Sequence, residues 1–197
     1  MEKLAVLPEP KVKFAMGDLL KKEVDGIVTK ARAKSVPGGN GVSYKVYKYC
    51  NQLRYKLDLF LKKLWKEKAL VDDWTYAEGV YLPKEENATT IEQFRPITTL
   101  SVGCKIYMGI LARRTMTFLR QNKFINEEVQ KAGIPSLPGC IEHAYTIWDT
   151  IQEAKDSKED LSVIWLDLAN AYGSVPHSVV FCFWQWSVFT SRKRSDH

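Results

Sequence analysis

Residues 161–177 read Leu161-Ser-Val-Ile-Trp-Leu-Asp167-Leu-Ala-Asn-Ala-Tyr172-Gly-Ser-Val-Pro-His177. The first seven form a short, nearly unbroken apolar run with β-branched residues and end in a carboxylate, a pattern that predicts a buried central strand. An acid at the end of such a strand is costly unless it is paired, hydrogen-bonded or holding a cation. Two readings of Asp167 follow from this stretch alone: a cap on the helix that comes next, or a cation ligand.

The segments before it are punctuated by turn signals. Ile141, Ala144, Tyr145, Trp148 and Ile151 recur at helical spacing up to about Lys155, and Val102–Arg120 places Tyr107, Ile110, Leu111 and Phe118 on one side, so two helices are expected. Residues 75–83 (TYAEGVYLP) read as a strand ending at Pro83, and Pro96 marks a second extended piece, because proline disfavours helix at the residue before it. Together they predict a hairpin-like pair around the polar linker 85–92. From Tyr44 to Lys68, Leu53, Leu57, Phe60, Leu61, Leu64 and Trp65 recur with Lys and Arg between them, predicting one amphipathic helix with a basic outer face. Ahead of it, Pro37-Gly38-Gly39-Asn40-Gly41 forces a turn-rich loop.

With 45% hydrophobic and 26% charged residues among 197, the chain has the composition of a globular protein with one sizeable core, which excludes disorder throughout. Its net charge of +6 is unevenly placed: residues 1–70 carry 16 Lys/Arg against 7 Asp/Glu, and residues 71–197 carry 13 against 16. A lobe so basic gains free energy on a phosphate backbone through counterion release, although a solvated Lys-rich surface is the plainer reading of the same numbers. Cys50, Cys104, Cys140 and Cys182 lie far apart, with neither a close zinc-binding pair nor a dense disulfide framework, which fits a reducing compartment. The opening MEKLAVLPEPKVKF has no signal-peptide core, and no stretch approaches the roughly 20 apolar residues of a membrane span. A soluble, intracellular protein of the nucleus or cytoplasm, with no membrane partner, is expected.

The string LDLANAYGSVPH (166–177) resembles the first palm motif of reverse transcriptases of the non-LTR, LINE-like retrotransposon type, in which an Asp closes the strand and an aromatic follows five residues later. The resemblance implies that Asp167 and the backbone carbonyl of Leu168 bind the two catalytic magnesium ions. It also implies that Tyr172 fills the space a ribose 2′-hydroxyl would need and so selects deoxynucleotides. Val80-Tyr-Leu-Pro-Lys84 followed by Gln93-Phe-Arg95-Pro-Ile97 resembles the fingers hairpin of the same family, implying that Lys84 and Arg95 hold the triphosphate of the incoming deoxynucleotide. Arginine offers phosphate a rigid fork of donors and lysine a mobile point charge; taken alone, Lys84 equally fits a plain surface hairpin. Ser35–Tyr44 resembles the Gly-rich, template-side segment, and Lys105, Arg113 and Arg114 resemble the basic residues of the helix after the FRPI string, implying template-phosphate contacts, with a solvated helix face as the alternative. Glu128-Val-Gln130-Lys-Ala-Gly133-Ile134 resembles the family's Gln-x-Gly-Phe element, with one residue more between Gln130 and Gly133 and Ile134 in place of the aromatic. His143 and His177 take packing or surface roles.

The expected architecture is α+β: reverse-transcriptase-like fingers and a partial palm, truncated before the catalytic aspartate-pair hairpin. Residues 1–17 form an N-terminal extension, 18–178 the fingers and partial palm, and 179–197 an aberrant or disordered tail. The implied partners are an RNA template, an RNA/DNA hybrid and a deoxynucleoside triphosphate. No second carboxylate pair follows His177, and the remaining downstream candidate is Asp196. One aspartate carries too little charge to hold two cations about 4 Å apart, so the isolated chain is expected to be inactive. The alternative is a non-catalytic RNA- or DNA-binding remnant, or a pseudogene product. The tail HSVVFCFWQWSVFTSRKRSDH clusters aromatics without order, which predicts a frameshift or intron boundary near Val180. Without partner strands, Leu161–Leu166 would present unpaired backbone at a sheet edge.

Overall fold

A computed structural model of the chain describes residues 8–131, 133–134, 139–167 and 174–179. The chain forms two compact units, one of residues 15–115 and one that joins the segment before residue 15 to the segment after 115. In order, the elements are α1 (Lys21–Lys30), α2 (Tyr44–Tyr49), α3 (Asn51–Glu67), β1 (Glu78–Pro83), β2 (Phe94–Thr99), α4 (Val102–Gln121) and α5 (Cys140–Ser157), with 3₁₀ turns at Asp72–Thr75 and Ile91–Gln93. The boundary between the units falls within α4.

The 15–115 unit holds one apolar cluster. Leu57, Leu61 and Leu64 stand at helical spacing on α3 and meet Val24, Ile27 and Val28 of α1 and Val102, Ile106, Tyr107 and Ile110 of α4. Leu61 and Ile106 are fully buried. The single helix expected over Tyr44–Lys68 is two, because Cys50 leaves the helical region (φ −106°, ψ 95°) between α2 and α3. The first of these, YKVYKY, has three tyrosines and a valine, residues of weak helix propensity, and Cys50-Asn51 adds two more weak formers at the break. At the other end Lys68 turns left-handed (φ 52°) and the Ala69 N–H returns to the Leu64 carbonyl at 3.1 Å, which terminates α3. Helix α1 buries Val24, Ile27 and Val28 on one face, and its start is fixed by Glu23, whose carboxylate accepts the Leu20 N–H at 2.9 Å.

β1 and β2 pair antiparallel as expected, in the register Leu82↔Arg95 and Val80↔Ile97. In the other unit Phe118 is buried between edge contacts with Phe14 (5.7 Å) and Phe124 (5.8 Å), and Asn122 bonds both the N–H and the carbonyl of Val12.

The expectation of a buried strand ending at Asp167 is overturned. Residues 161–167 form no strand, and among the described residues the sheet has two strands only. Ile164, Trp165 and Leu166 are 81%, 75% and 93% exposed. A strand exists only as part of a ladder, and no described segment other than β1 and β2 supplies one, so the apolar run has neither hydrogen-bond partners nor a layer to be buried against.

Candidate functional site

The hairpin brings the two expected phosphate-binding residues together. The Lys84 N–H donates to the Gln93 carbonyl at 2.8 Å, so the ladder continues one pair beyond β1. Side chains alternate along a strand, which places Val80, Leu82 and Lys84 on one face with Ile97, Arg95 and Gln93. Lys84 and Arg95 are thus diagonal neighbours on that face, close enough for both to reach one ligand. Lys84 Nζ donates to the Glu92 carbonyl at 2.6 Å. Arg95 is exposed, and its side chain has no hydrogen bond or ion pair among the described residues.

Gln93 organises the tip of this hairpin, a role that reading the sequence missed. Its Oε1 accepts the N–H groups of Thr89 (2.7 Å) and Thr90 (2.9 Å), and its Nε2 donates to Glu85 Oε1 (2.6 Å). The available signal was Thr90-Ile-Glu-Gln93, the spacing of a capping box.

The three cations assigned to template contacts on α4 differ. Lys105 Nζ donates to the Val36 carbonyl of the Gly-rich loop at 3.4 Å, and Arg113 Nη2 donates to the Gly26 carbonyl at 3.3 Å while staying exposed. Arg114 is buried. Its Nε and Nη2 grip both carboxylate oxygens of Glu23 (2.8 and 2.7 Å), Nη1 donates to the carbonyls of Ala15 (2.8 Å) and Gly17 (2.7 Å), and Nη2 also reaches Asp18 O (3.0 Å). The guanidinium lies 4.8 Å from the centre of the Trp65 ring. All five donors of an arginine are therefore engaged, so the template-phosphate role gives way to a structural one. The Arg114 hydrogen bonds hold the Glu23 carboxyl below its usual range, against the opposing effect of burial.

Beside this region Lys62, Lys63 and Lys66 of α3 line a cleft of about 200 Å³ together with Asp18 and Leu19. Lys62 pairs with the buried Asp58 at 2.7 Å and Lys63 lies 3.9 Å from Glu67, so the cations keep their places on the helix while their outer sides face solvent. The Gly-rich loop packs on the start of α4: a Cβ at Gly38 would stand 2.5 Å from the Leu100 carbonyl group and 2.6 Å from Ser101 N.

Asp167 lies in the other unit, exposed and outside any regular element. Leu168 and Tyr172 lie outside the described residues. Among the described residues no group of three His, Cys, Asp or Glu side chains converges as a metal site. Magnesium takes six oxygen ligands, and one isolated carboxylate does not satisfy it, so the described donors do not fit a magnesium pair. His143 and His177 are exposed, and Gln130 is exposed beside a turn held by its N–H to Asn126 O at 2.8 Å. No described helix is long and apolar enough to cross a membrane.

No family model matches the chain. It is 33% identical over 101 residues to the Retrovirus-related Pol polyprotein from type-1 retrotransposable element R2 of Bradysia coprophila, a match that covers 51% of this chain and 11% of that polyprotein. The chain is thus similar in part to a retrotransposon Pol polyprotein, and the match spans about a tenth of its length.

Proposed function

We propose that this chain is the fingers and first palm segment of an RNA-directed DNA polymerase of the non-LTR retrotransposon kind, which adds deoxynucleotides to a primer on an RNA template when the rest of the polymerase is present. The observation that carries this reading is the hairpin register, with Arg95 exposed and, among the described residues, unpaired beside Lys84 on one face. A guanidinium fork and a neighbouring ammonium suit the oxygens of a triphosphate. Arg95 orients the phosphate chain, while the Lys84 ammonium exchanges the Glu92 carbonyl for a phosphate oxygen. Asp167 and the Leu168 carbonyl would supply part of a magnesium centre, whose further ligands would come from the rest of the polymerase.

Calorimetric titration of the full chain with sodium tripolyphosphate and with dTTP tests the reading. Arg95→Ala should weaken both by roughly tenfold or more, the loss of charge-assisted hydrogen bonds worth about 1.5–3 kcal/mol. Equal binding by Arg95→Ala and the parent would overturn it. A second reading, a non-catalytic RNA- or DNA-binding remnant, is favoured by the three-lysine cleft on α3. It predicts polynucleotide binding that survives Arg95→Ala.

A further inference from the structure

Within the 15–115 unit a cleft of about 410 Å³ lies between the Gly-rich loop, the turn at Asp72–Thr75 and the base of the hairpin. Its walls are built from different elements. A Cβ at Gly39 would come within 3.0 Å of Glu78 Oε1, so the missing side chain is what lets the Glu78 carboxylate lean across this edge. Trp74 is fixed by ring contacts with Phe60 (6.4 Å) and Tyr107 (5.4 Å). Tyr76 presents its ring to solvent at 78% exposure. Asn40 and Ser101 are occupied with the backbone N–H groups of Val42 (3.1 Å) and Cys104 (3.3 Å).

The groups left to a ligand are the carboxylates of Asp73 and Glu78 and the exposed Tyr76 ring. Neither acid forms an ion pair among the described residues, and no Lys or Arg lines the cleft. This is an acidic, aromatic-walled recess in a chain of net charge +6.

We propose that the cleft binds an arginine side chain presented by a basic peptide of a partner protein, with the guanidinium between Asp73 and Glu78 and its flat face on Tyr76. Charge complementarity sets the choice: two unpaired carboxylates attract a cation and repel a phosphate-bearing strand. A planar, weakly hydrated guanidinium both forks onto carboxylate oxygens and stacks on an aromatic ring, which a compact ammonium does less well. The site uses none of the residues assigned to phosphate binding and does not depend on the polymerase reading.

The test uses the full chain with a fluorescein-labelled Gly-Arg-Gly-Arg-Gly peptide, read by anisotropy, and N-acetyl-arginine amide as competitor. Saturable binding displaced by the competitor is expected, roughly tenfold weaker for the lysine version of the peptide and lost for the glutamine version. Glu78→Gln and Tyr76→Ala, both at exposed positions, should each weaken it about fivefold or more without changing the far-ultraviolet circular dichroism. Gly39→Ala, which crowds the carboxylate while leaving every charge in place, should weaken it as well, and Lys63→Gln, outside the cleft, should not. The proposal is overturned by binding that is equal across Glu78→Gln, Tyr76→Ala and the parent, or by no saturable binding up to about 1 mM. Displacement by guanosine monophosphate in preference to the arginine amide would also overturn it, and would make the cleft a nucleobase site.

Discussion

Arg95 and Arg114 carry the same side chain in opposite circumstances. Arg95 stands exposed on a hairpin face, and Arg114 is enclosed by Glu23, three backbone carbonyls and the Trp65 ring. Nothing local distinguishes them in the sequence, because the hydrogen-bond partners of Arg114 lie 91 to 99 residues earlier in the chain. Arg114→Met should therefore destabilise the fold by about 3 kcal/mol, since it strands a part-buried carboxylate and three carbonyls, whereas Arg95→Met should be nearly neutral. Urea unfolding of the two variants checks the contrast. The same pair gives a pH dependence. Glu23 has a lowered carboxyl pKa in the folded state, so the folded protein takes up that proton less readily than the unfolded chain does. Its contribution is present above the ordinary glutamate value of about 4.3 and is lost as pH falls through the lowered one. The stability difference between the parent and Glu23→Gln should then be constant near neutrality and shrink on acidification below about pH 4.

At the level of elements, what could be read from the sequence was what depends on neighbours close in the chain. The hairpin was legible because Pro83 and Pro96 mark its strands and the polar linker between them is short. Helix α4 was legible because Tyr107, Ile110, Leu111 and Phe118 recur at helical spacing. The run 161–167 carries an equally strong local pattern, yet a strand is completed only by another strand, and composition cannot say whether one is at hand. The break at Cys50 and the hub at Gln93 escaped for a different reason: each is a matter of backbone geometry over two or three residues inside an otherwise regular pattern. Gln93→Leu removes the acceptor of the Thr89 and Thr90 N–H groups, so it should loosen the tip and raise amide exchange across residues 85–93 while leaving the α3 amides protected. The loop that packs under the hairpin gives a sharper contrast. Gly38→Ala places a methyl against the Leu100 and Ser101 backbone and should cost about 1–3 kcal/mol. Gly79→Ala meets nothing within 4 Å and should be tolerated.

For the molecule as a whole, charge is the property that composition reported directly, and its placement is what the structure adds. Basic residues dominate positions 1–70. They are not a uniform coat, since Arg54 and Lys62 are tied to Asp25 and Asp58 while Lys63 and Lys66 border an open cleft. A duplex held by exposed lysines releases one condensed counterion, or nearly so, for each phosphate neutralised, and the affinity then falls linearly on a double-logarithmic salt plot. If α3 is the surface that meets the backbone, replacing Lys63 and Lys66 together by glutamine should lower the magnitude of that slope by about 2 on an RNA/DNA hybrid and weaken binding equally for unrelated sequences. Arg95→Ala should leave the slope unchanged, because its proposed ligand is the nucleotide and not the duplex. The same preparation, given an RNA template, a primer, deoxynucleotides and magnesium, should incorporate nothing, since Asp167 lies exposed outside any strand and, among the described residues, no further carboxylates converge with it to hold two cations. Salt-independent binding, or a slope indifferent to Lys63 and Lys66, would remove α3 from the interface; incorporation that disappears with Asp167→Ala would instead show that the chain carries a working catalytic centre of its own.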